Sequence, residues 1–443
     1  MTRDDLGLLP RPWQMSITGE QYPWQGDRDG EDVVVVKNQP VPGLLAGSPT
    51  WQRKEAYRLE IVASRPEITA EGELGVANAR RTLRQLRTSR TVPDLVITDR
   101  PEFEWRGLSV DIARHFFGVE DLVAVMDIMA ELGLNRLHLH LSDDQGWRIE
   151  IPAIPELTER SSRTSVGGGP GGFLSQEDLD FLVAQGAHRG IAIVPEVDVP
   201  GHVTAALHAL PGLNPDGAQP DVYEGIEVGI SSLTEDLPET ERLLEGVFGT
   251  LVPHGQEGVH IGGDECLLTP PAEFNRLVAS AAGYVRAAGR PVIAWQEAAP
   301  VLEEGEYLQV WDERQDLSGV VEAARRGVRI IASPATRVYL DMKYADDERL
   351  GLTWAGTTTL REAYEWDPRA LFEGLDPAAV HGVEACIFTE TIETQDELLY
   401  MLMPRLAAVA EVAWAGTGIG TEGQWESFEA RVRVRELWRP PSP

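Results

Sequence analysis

Leu108-Ser-Val-Asp-Ile112, Leu122-Val-Ala-Val-Met-Asp-Ile-Met-Ala-Glu-Leu132 and Arg136-Leu-His-Leu-His-Leu141 follow one another with short polar gaps. An apolar run, a pattern of helical period and a second apolar run read as strand, helix, strand, a unit whose strands pair in parallel. The same rhythm continues outward. Further strands are predicted at 191–197, 259–261, 292–294, 308–311, 328–332 and 383–388. Helical patterns fall between several of them, at 179–188, 241–248, 273–288 and 320–326. Eight strands alternating with helices over about this span predict an α/β fold, a closed (β/α)8 TIM barrel, better than an open sheet.

The flanks read differently. Strand-like runs at 32–37, 57–62 and 95–98, the last after a turn-like Pro93-Asp94, surround a helical pattern carried by Val76, Ala79, Leu83 and Leu86. That is a small α+β domain, an antiparallel sheet with a covering helix, expected at 1–103. The barrel is expected at 104–415, and a C-terminal helix packing on it at 416–443. Trp13, Trp24, Trp51, Trp425 and Trp438 read as core or interface residues, and Gly167-Gly-Gly-Pro-Gly-Gly172 as a loop.

Over 443 residues the chain has 39 Lys and Arg against 71 Asp and Glu, a formal charge of −32. Such a surface repels nucleic-acid phosphates and anionic membranes, so neither is an expected partner. Apolar residues make up 42% of the chain, enough for a core. Two cysteines exclude a disulfide framework. The start, Met1-Thr-Arg-Asp-Asp5, lacks the marks of a secretory leader, so the expected location is cytoplasmic, or secreted if a signal peptide was removed. No apolar run approaches the ~20 residues of a membrane helix.

In a barrel, chemistry sits on the loops after the strands. Here those loops carry Arg114, Asp143-Asp144, Glu196-Val-Asp198, His202, Asp264-Glu265, Trp295-Gln-Glu297, Trp311-Asp-Glu313 and Glu390. The pair Asp264-Glu265 carries the most information. Neighbours on a straight strand point to opposite faces, and Gly262-Gly263 supplies the bend that brings both into one pocket. Two adjacent carboxylates oppose each other's ionisation, which leaves a proton donor beside an anion. An exposed acidic turn is the alternative. His138-Leu-His140 could ligate a metal, yet no further histidines complete a cage, so barrel-interior imidazoles satisfied by carboxylates are expected, with no metal and no cofactor. Trp147, Trp295, Trp311 and Trp354 lie beside acidic strand ends, and aromatic faces among carboxylates and one Arg suit a sugar.

Four motifs in order resemble glycoside hydrolase family 20, the β-N-acetylhexosaminidases of bacteria. They are Arg106-Gly-Leu-Ser-Val-Asp-Ile-Ala-Arg-His-Phe116, His138-Leu-His-Leu-Ser-Asp-Asp-Gln-Gly-Trp-Arg148, Pro195-Glu-Val-Asp-Val-Pro-Gly-His202 and His260-Ile-Gly-Gly-Asp-Glu265. The resemblance also takes in the Gly-rich loop and Tyr339-Leu-Asp341. It implies exo-hydrolysis of terminal β-linked GlcNAc or GalNAc from a small oligosaccharide or glycoconjugate, with the substrate's own 2-acetamido oxygen as nucleophile and an oxazolinium intermediate. Matched to the motifs, Glu265 is the general acid and base, Asp264 stabilises the acetamido nitrogen, and Tyr339 bonds the acetamido oxygen. Trp295 and Trp311 wall the acetamido pocket. Arg114, Asp341 and Glu390 hold ring hydroxyls, and Trp354 is an aromatic platform toward the leaving group. His202 and either Asp143 or Asp144 orient the acid, with Asp198 a structural or relay carboxylate.

One departure stands out: Phe388 occupies a position where the family commonly has Trp, which implies a wider acetamido pocket. Within the family, release of a disaccharide in the manner of a lacto-N-biosidase is the alternative reaction. A non-catalytic amino-sugar-binding protein is the alternative of another class, disfavoured because a pure binder has no use for a proton donor. Oligomeric state is not legible in the sequence.

Overall fold

The computed structural model describes residues 2–24, 33–45, 47–416 and 423–436. Strands β1 (Gln14–Pro23), β2 (Val34–Lys37), β3 (Tyr57–Val62), β4 (Arg65–Ala70) and β5 (Thr91–Asp99) form one sheet in the order β1-β5-β3-β4-β2. It is antiparallel except for the edge pair β2–β4, which is parallel. Alternation sets the faces: Leu59, Ile61, Ile68 and Ala70 point inward. The helix Glu73–Leu86 lays Val76, Ala79, Leu83 and Leu86 against them.

Pro93-Asp94 is not a turn. It lies inside β5, with Pro93 opposite Gln21, where the β1 register shifts between Ile17 and Gln21. An irregularity of that kind tolerates a residue without an N–H. Two strands, β1 and β4, had no counterpart in the sequence reading. Asp32 lies outside the described residues.

The barrel strands are β6 (Trp105–Asp111), β7 (Arg136–His140), β10 (Ala192–Glu196), β11 (Val259–His260), β12 (Val292–Trp295), β13 (Tyr307–Val310), β14 (Arg329–Ala332) and β15 (Val380–Ile387). They close in chain order, β15 pairing with β6, and every pair is parallel. A tight hairpin, β8 (Ser142–Asp143) and β9 (Gly146–Trp147), follows β7. The lumen is filled in layers. Trp105, Val194, Ile293, Tyr307 and Ile331 form an apolar plug. Above it lies a polar layer of His138, His140, Glu196, His260, Gln309 and Glu384.

Two helices near the C-terminus close the outside. Arg405–Ala415 is buried along nearly its whole length, and its Trp414 Nε1 donates to Asp99 of the first sheet at 3.1 Å. Arg106 joins the two parts with a paired contact to Glu55, at 2.5 and 3.2 Å. Gln424–Val434 stacks Phe428 on Tyr364, ring centroids 4.4 Å apart, and its Arg431 pairs with Glu411 at 2.6 Å. Trp13, Trp24, Trp51 and Trp425 are half-buried. Trp438 lies outside the described residues. Among the described residues no single helix is long and apolar enough to cross a membrane.

Candidate active site

The site is built on the turn that follows β11. Gly262 and Gly263 have φ of 70° and 106°, and Glu265 itself sits at 46°. Only glycine fits at 262: a Cβ there would lie 1.8 Å from Asp198 Oδ1. The closeness is used, because the Gly263 N–H donates to that same oxygen at 2.8 Å. The chain therefore bends around Asp198 and turns both carboxylates toward His202, whose Nε2 is 4.0 Å from Asp264 Oδ2 and 3.6 Å from Glu265 Oε2.

Behind this pair runs a buried relay. His202 Nδ1 lies 3.1 Å from Asp143 Oδ1. Asp143 Oδ2 also receives Arg114 Nη2 and His140 Nε2, each at 2.8 Å. The neighbouring Asp144 is turned away, accepting from the Thr204 backbone N–H at 2.9 Å and from Ser231 Oγ at 2.6 Å. Of the two aspartates, Asp143 is thus the one that meets His202. Burial would raise the Asp143 carboxyl, but Arg114 and His202 hold it well below the usual range. Burial likewise disfavours a charged His202, and the Asp143 charge overrides it, pushing the imidazole up to about 10.

Glu265 stands at the other extreme. Burial first, and then the charge of Asp264, lift it to about 7, against the pull of His202 and Arg114. Burial first, and then the neighbouring Asp264, raise Asp198 well above the carboxylate range. The arrangement thus sets a carboxyl held protonated to about neutral pH, Glu265, beside a second carboxylate, Asp264.

An aromatic chamber adjoins the turn. Trp295, Trp311, Tyr339, Met342 and Cys386 form a buried cluster with Phe388 packed on it. Trp295 Nε1 donates to Glu196 at 2.9 Å and Trp311 Nε1 to Glu297 at 3.2 Å. The Phe388 ring lies 5.4 Å from Tyr339 and 5.3 Å from the Arg114 guanidinium. Trp354 is 44% exposed and meets Trp311 and Tyr339 edge-on, each at 5.7 Å. Free polar atoms point to a ligand as well. Arg114 Nε and Asp341 Oδ2 are buried and make no hydrogen bond among the described residues, and Arg114 Nη1 has only a 3.5 Å ion pair with Asp111 Oδ2. Burial and the neighbouring Glu390 raise Asp341, while Asp341 Oδ1 accepts the Phe388 N–H at 3.1 Å.

The structure brings together Arg114, Asp143, Asp198, His202, Asp264 and Glu265 in one web of ion pairs and hydrogen bonds, and Trp295, Trp311, Tyr339, Trp354 and Phe388 in the adjoining aromatic chamber. Trp147 does not join them; it is buried in the main core and donates to the Ile149 carbonyl at 2.7 Å. The interior histidines meet carboxylates: nitrogens of His138, His140 and His260 lie 3.0, 2.7 and 2.8 Å from Glu196. Two residues were given no part in the site from sequence. Glu297, lifted to about 8 by burial and by Asp264, anchors Trp311. Arg405, fully buried, donates to the carbonyls of Leu340 and Met342 at 2.6 and 2.7 Å and so fixes the peptide on both sides of Asp341. Glu297 carried a signal, its place at a strand end. Arg405 carried only the oddity of a charge inside an apolar helical run.

The profile for "Glycosyl hydrolase family 20, catalytic domain" matches residues 103–275 and 271–417. A "Beta-N-acetylhexosaminidase" of Cellulomonas fimi is 49% identical over 385 residues, covering 85% of this chain and 77% of that protein. A "Beta-hexosaminidase" of Akkermansia muciniphila is 32% identical over 96% of this chain and 88% of its own length. Among solved structures, the Streptomyces plicatus N-acetyl-beta-hexosaminidase in complex with Thio-NAglucal superposes with a TM-score of 0.88 at 34% identity. That superposition covers 99% of this chain and 97% of the other.

Proposed function

Because this chain belongs to glycosyl hydrolase family 20 and is a β-N-acetylhexosaminidase, we propose that it removes single non-reducing β-linked GlcNAc or GalNAc residues by a substrate-assisted, retaining route. The family departs from the scheme in which a second carboxylate attacks the sugar. The observation that carries the reading is the turn itself, which sets Glu265, lifted to about 7, beside Asp264.

In the first step the acetamido oxygen bonds to the anomeric carbon as the glycosidic C–O bond breaks, and Glu265 gives its proton to the departing oxygen. The positive charge spreads over the oxazolinium ring, where Asp264 meets the N–H. In the second step water adds to the anomeric carbon from the face the leaving group vacated. Glu265, now a carboxylate, takes the water's proton, and the ring reopens. Two inversions give retention. The chamber of Trp295, Trp311 and Tyr339 folds the acetamido group under the sugar, so that attack is intramolecular. Arg114 and Asp341, with their unused donors and acceptor, suit ring hydroxyls.

The pH profile tests the acid. Only protonated Glu265 can donate, and its protonated fraction falls tenfold per unit above its pKa. The profile of kcat/KM is expected to bend near pH 7 and fall with unit slope above it. A flat profile to pH 9 contradicts the role. The chamber has its own test. Phe388 has a smaller ring than Trp and lacks its N–H, so Phe388→Trp should narrow the chamber. The rate ratio of N-acetyl to N-propionyl glucosaminide is expected to rise about tenfold, since one methylene in a shaped pocket is worth roughly 10–200-fold. An unchanged ratio rejects this account of Phe388.

A further inference from the structure

We propose that the rim beside Glu265 is a subsite for an uncharged leaving group bearing a hydrocarbon chain, an alkyl or aryl aglycone. The proposal rests on the reading that Glu265 protonates the leaving oxygen, because the aglycone departs on the acid's side. Two residues past the acid, Leu267 and Leu268 are 76% and 61% exposed. The Leu267 N–H donates to the Glu265 carbonyl at 2.7 Å, which ties the leucine to the catalytic turn.

A second loop meets it there. Gly229 has φ of 70°, and a Cβ on it would lie 2.6 Å from Leu267 Cδ1 and 3.1 Å from the Glu265 carbonyl oxygen. This loop therefore touches both the leucine and the backbone of the acid. Val228 and Ile230, on either side of Gly229, are exposed as well. The rim is fixed in place: Ser231 Oγ bonds Asp144 at 2.6 Å, and Ser232 Oγ lies 2.6 Å from Thr269 Oγ1.

Exposed aliphatic side chains on two touching loops, one of them the catalytic turn, mark a contact surface. Their chemistry says for what. Sugar faces stack on aromatic rings, whereas Leu267, Leu268, Val228 and Ile230 are branched aliphatics that shed water only against hydrocarbon. Glu224 and Glu227 on the same loop, on a chain of net charge −32, disfavour an anionic occupant.

The test is a series of methyl, butyl and hexyl β-N-acetylglucosaminides, all below micelle-forming concentration. A fully buried methylene is worth about 0.8 kcal/mol, and one laid on an open rim about half of that. For the wild-type protein, kcat/KM is expected to rise about thirtyfold from methyl to hexyl, mostly through KM. In the double variant Leu267→Ser/Leu268→Ser the hexyl-to-methyl ratio is expected to fall to near unity. Both leucines are exposed, so the substitutions are expected to change unfolding stability little. A flat series in the wild type overturns the proposal. A slope retained in the variant overturns it too. Absence of any methyl glycoside turnover defeats the underlying functional reading instead, which separates the two failures.

Discussion

Replacing Glu265 by Gln is expected to lower kcat by about 10²–10⁴ on a glycoside with a poor leaving group, such as the methyl glycoside. The amide fills the same space at the same turn but has no proton to give. On an aryl glycoside whose phenolate leaves unaided, the first step should lose far less. The contrast is diagnostic, because a folding defect would depress both substrates alike. Thermal or denaturant unfolding should change little, since the Glu265 side chain is 30% exposed and its nearest partner, His202, is 3.6 Å away. A loss of only a few-fold on the methyl glycoside contradicts the acid role.

Asp264→Asn is expected to lower kcat by about 10²–10³ with little change in KM, the size seen when one preorganised charge or dipole facing the transition state is removed. Asn keeps the volume, but it cannot balance the positive charge of an oxazolinium ion. The variant also makes a statement about pH. The Asp264 charge is one cause of the raised Glu265 value, and His202 and Arg114 act in the opposite sense. Removing that charge favours the ionised Glu265, so the alkaline limb of kcat/KM should move below pH 7. An unchanged kcat, or a limb that moves upward, contradicts the assignment.

These two residues were legible in the sequence for a physical reason. A double glycine before two carboxylates at the end of a strand has few readings, and the atom-level crowding of Gly262 on Asp198 is the constraint those glycines answer. The barrel was legible because its strands are buried on both faces and stand out as short apolar runs between helices of clear period. Even β11, only two residues long, was found from its neighbours.

What stayed hidden has equally physical causes. β1 is exposed along most of its length, so no alternation of burial marks it. β4 begins Arg65-Pro66, which reads as a break. Pro93-Asp94 looks like a turn because the signal for a turn is local, whereas the partner strand that accommodates it is some seventy residues away. Asp143 and Asp144 cannot be told apart by spacing; the hairpin β8–β9 decides which one meets His202. Trp147, three residues further on, points to the core through that same hairpin. Arg405 acts through carbonyls that no side-chain motif records.

The most direct measurement compares an aryl 2-acetamido-2-deoxy-β-glucoside with the aryl β-glucoside that carries a plain hydroxyl at C2. If the acetamido oxygen is the nucleophile, its removal takes away an intramolecular attack with an effective molarity of about 10⁵–10⁸ M. The plain glucoside should then be hydrolysed at least about 10⁴-fold more slowly in kcat at saturating substrate. Comparable turnover of the two would mean that a protein group or water attacks the sugar, and would contradict the account given for Asp264 and Glu265.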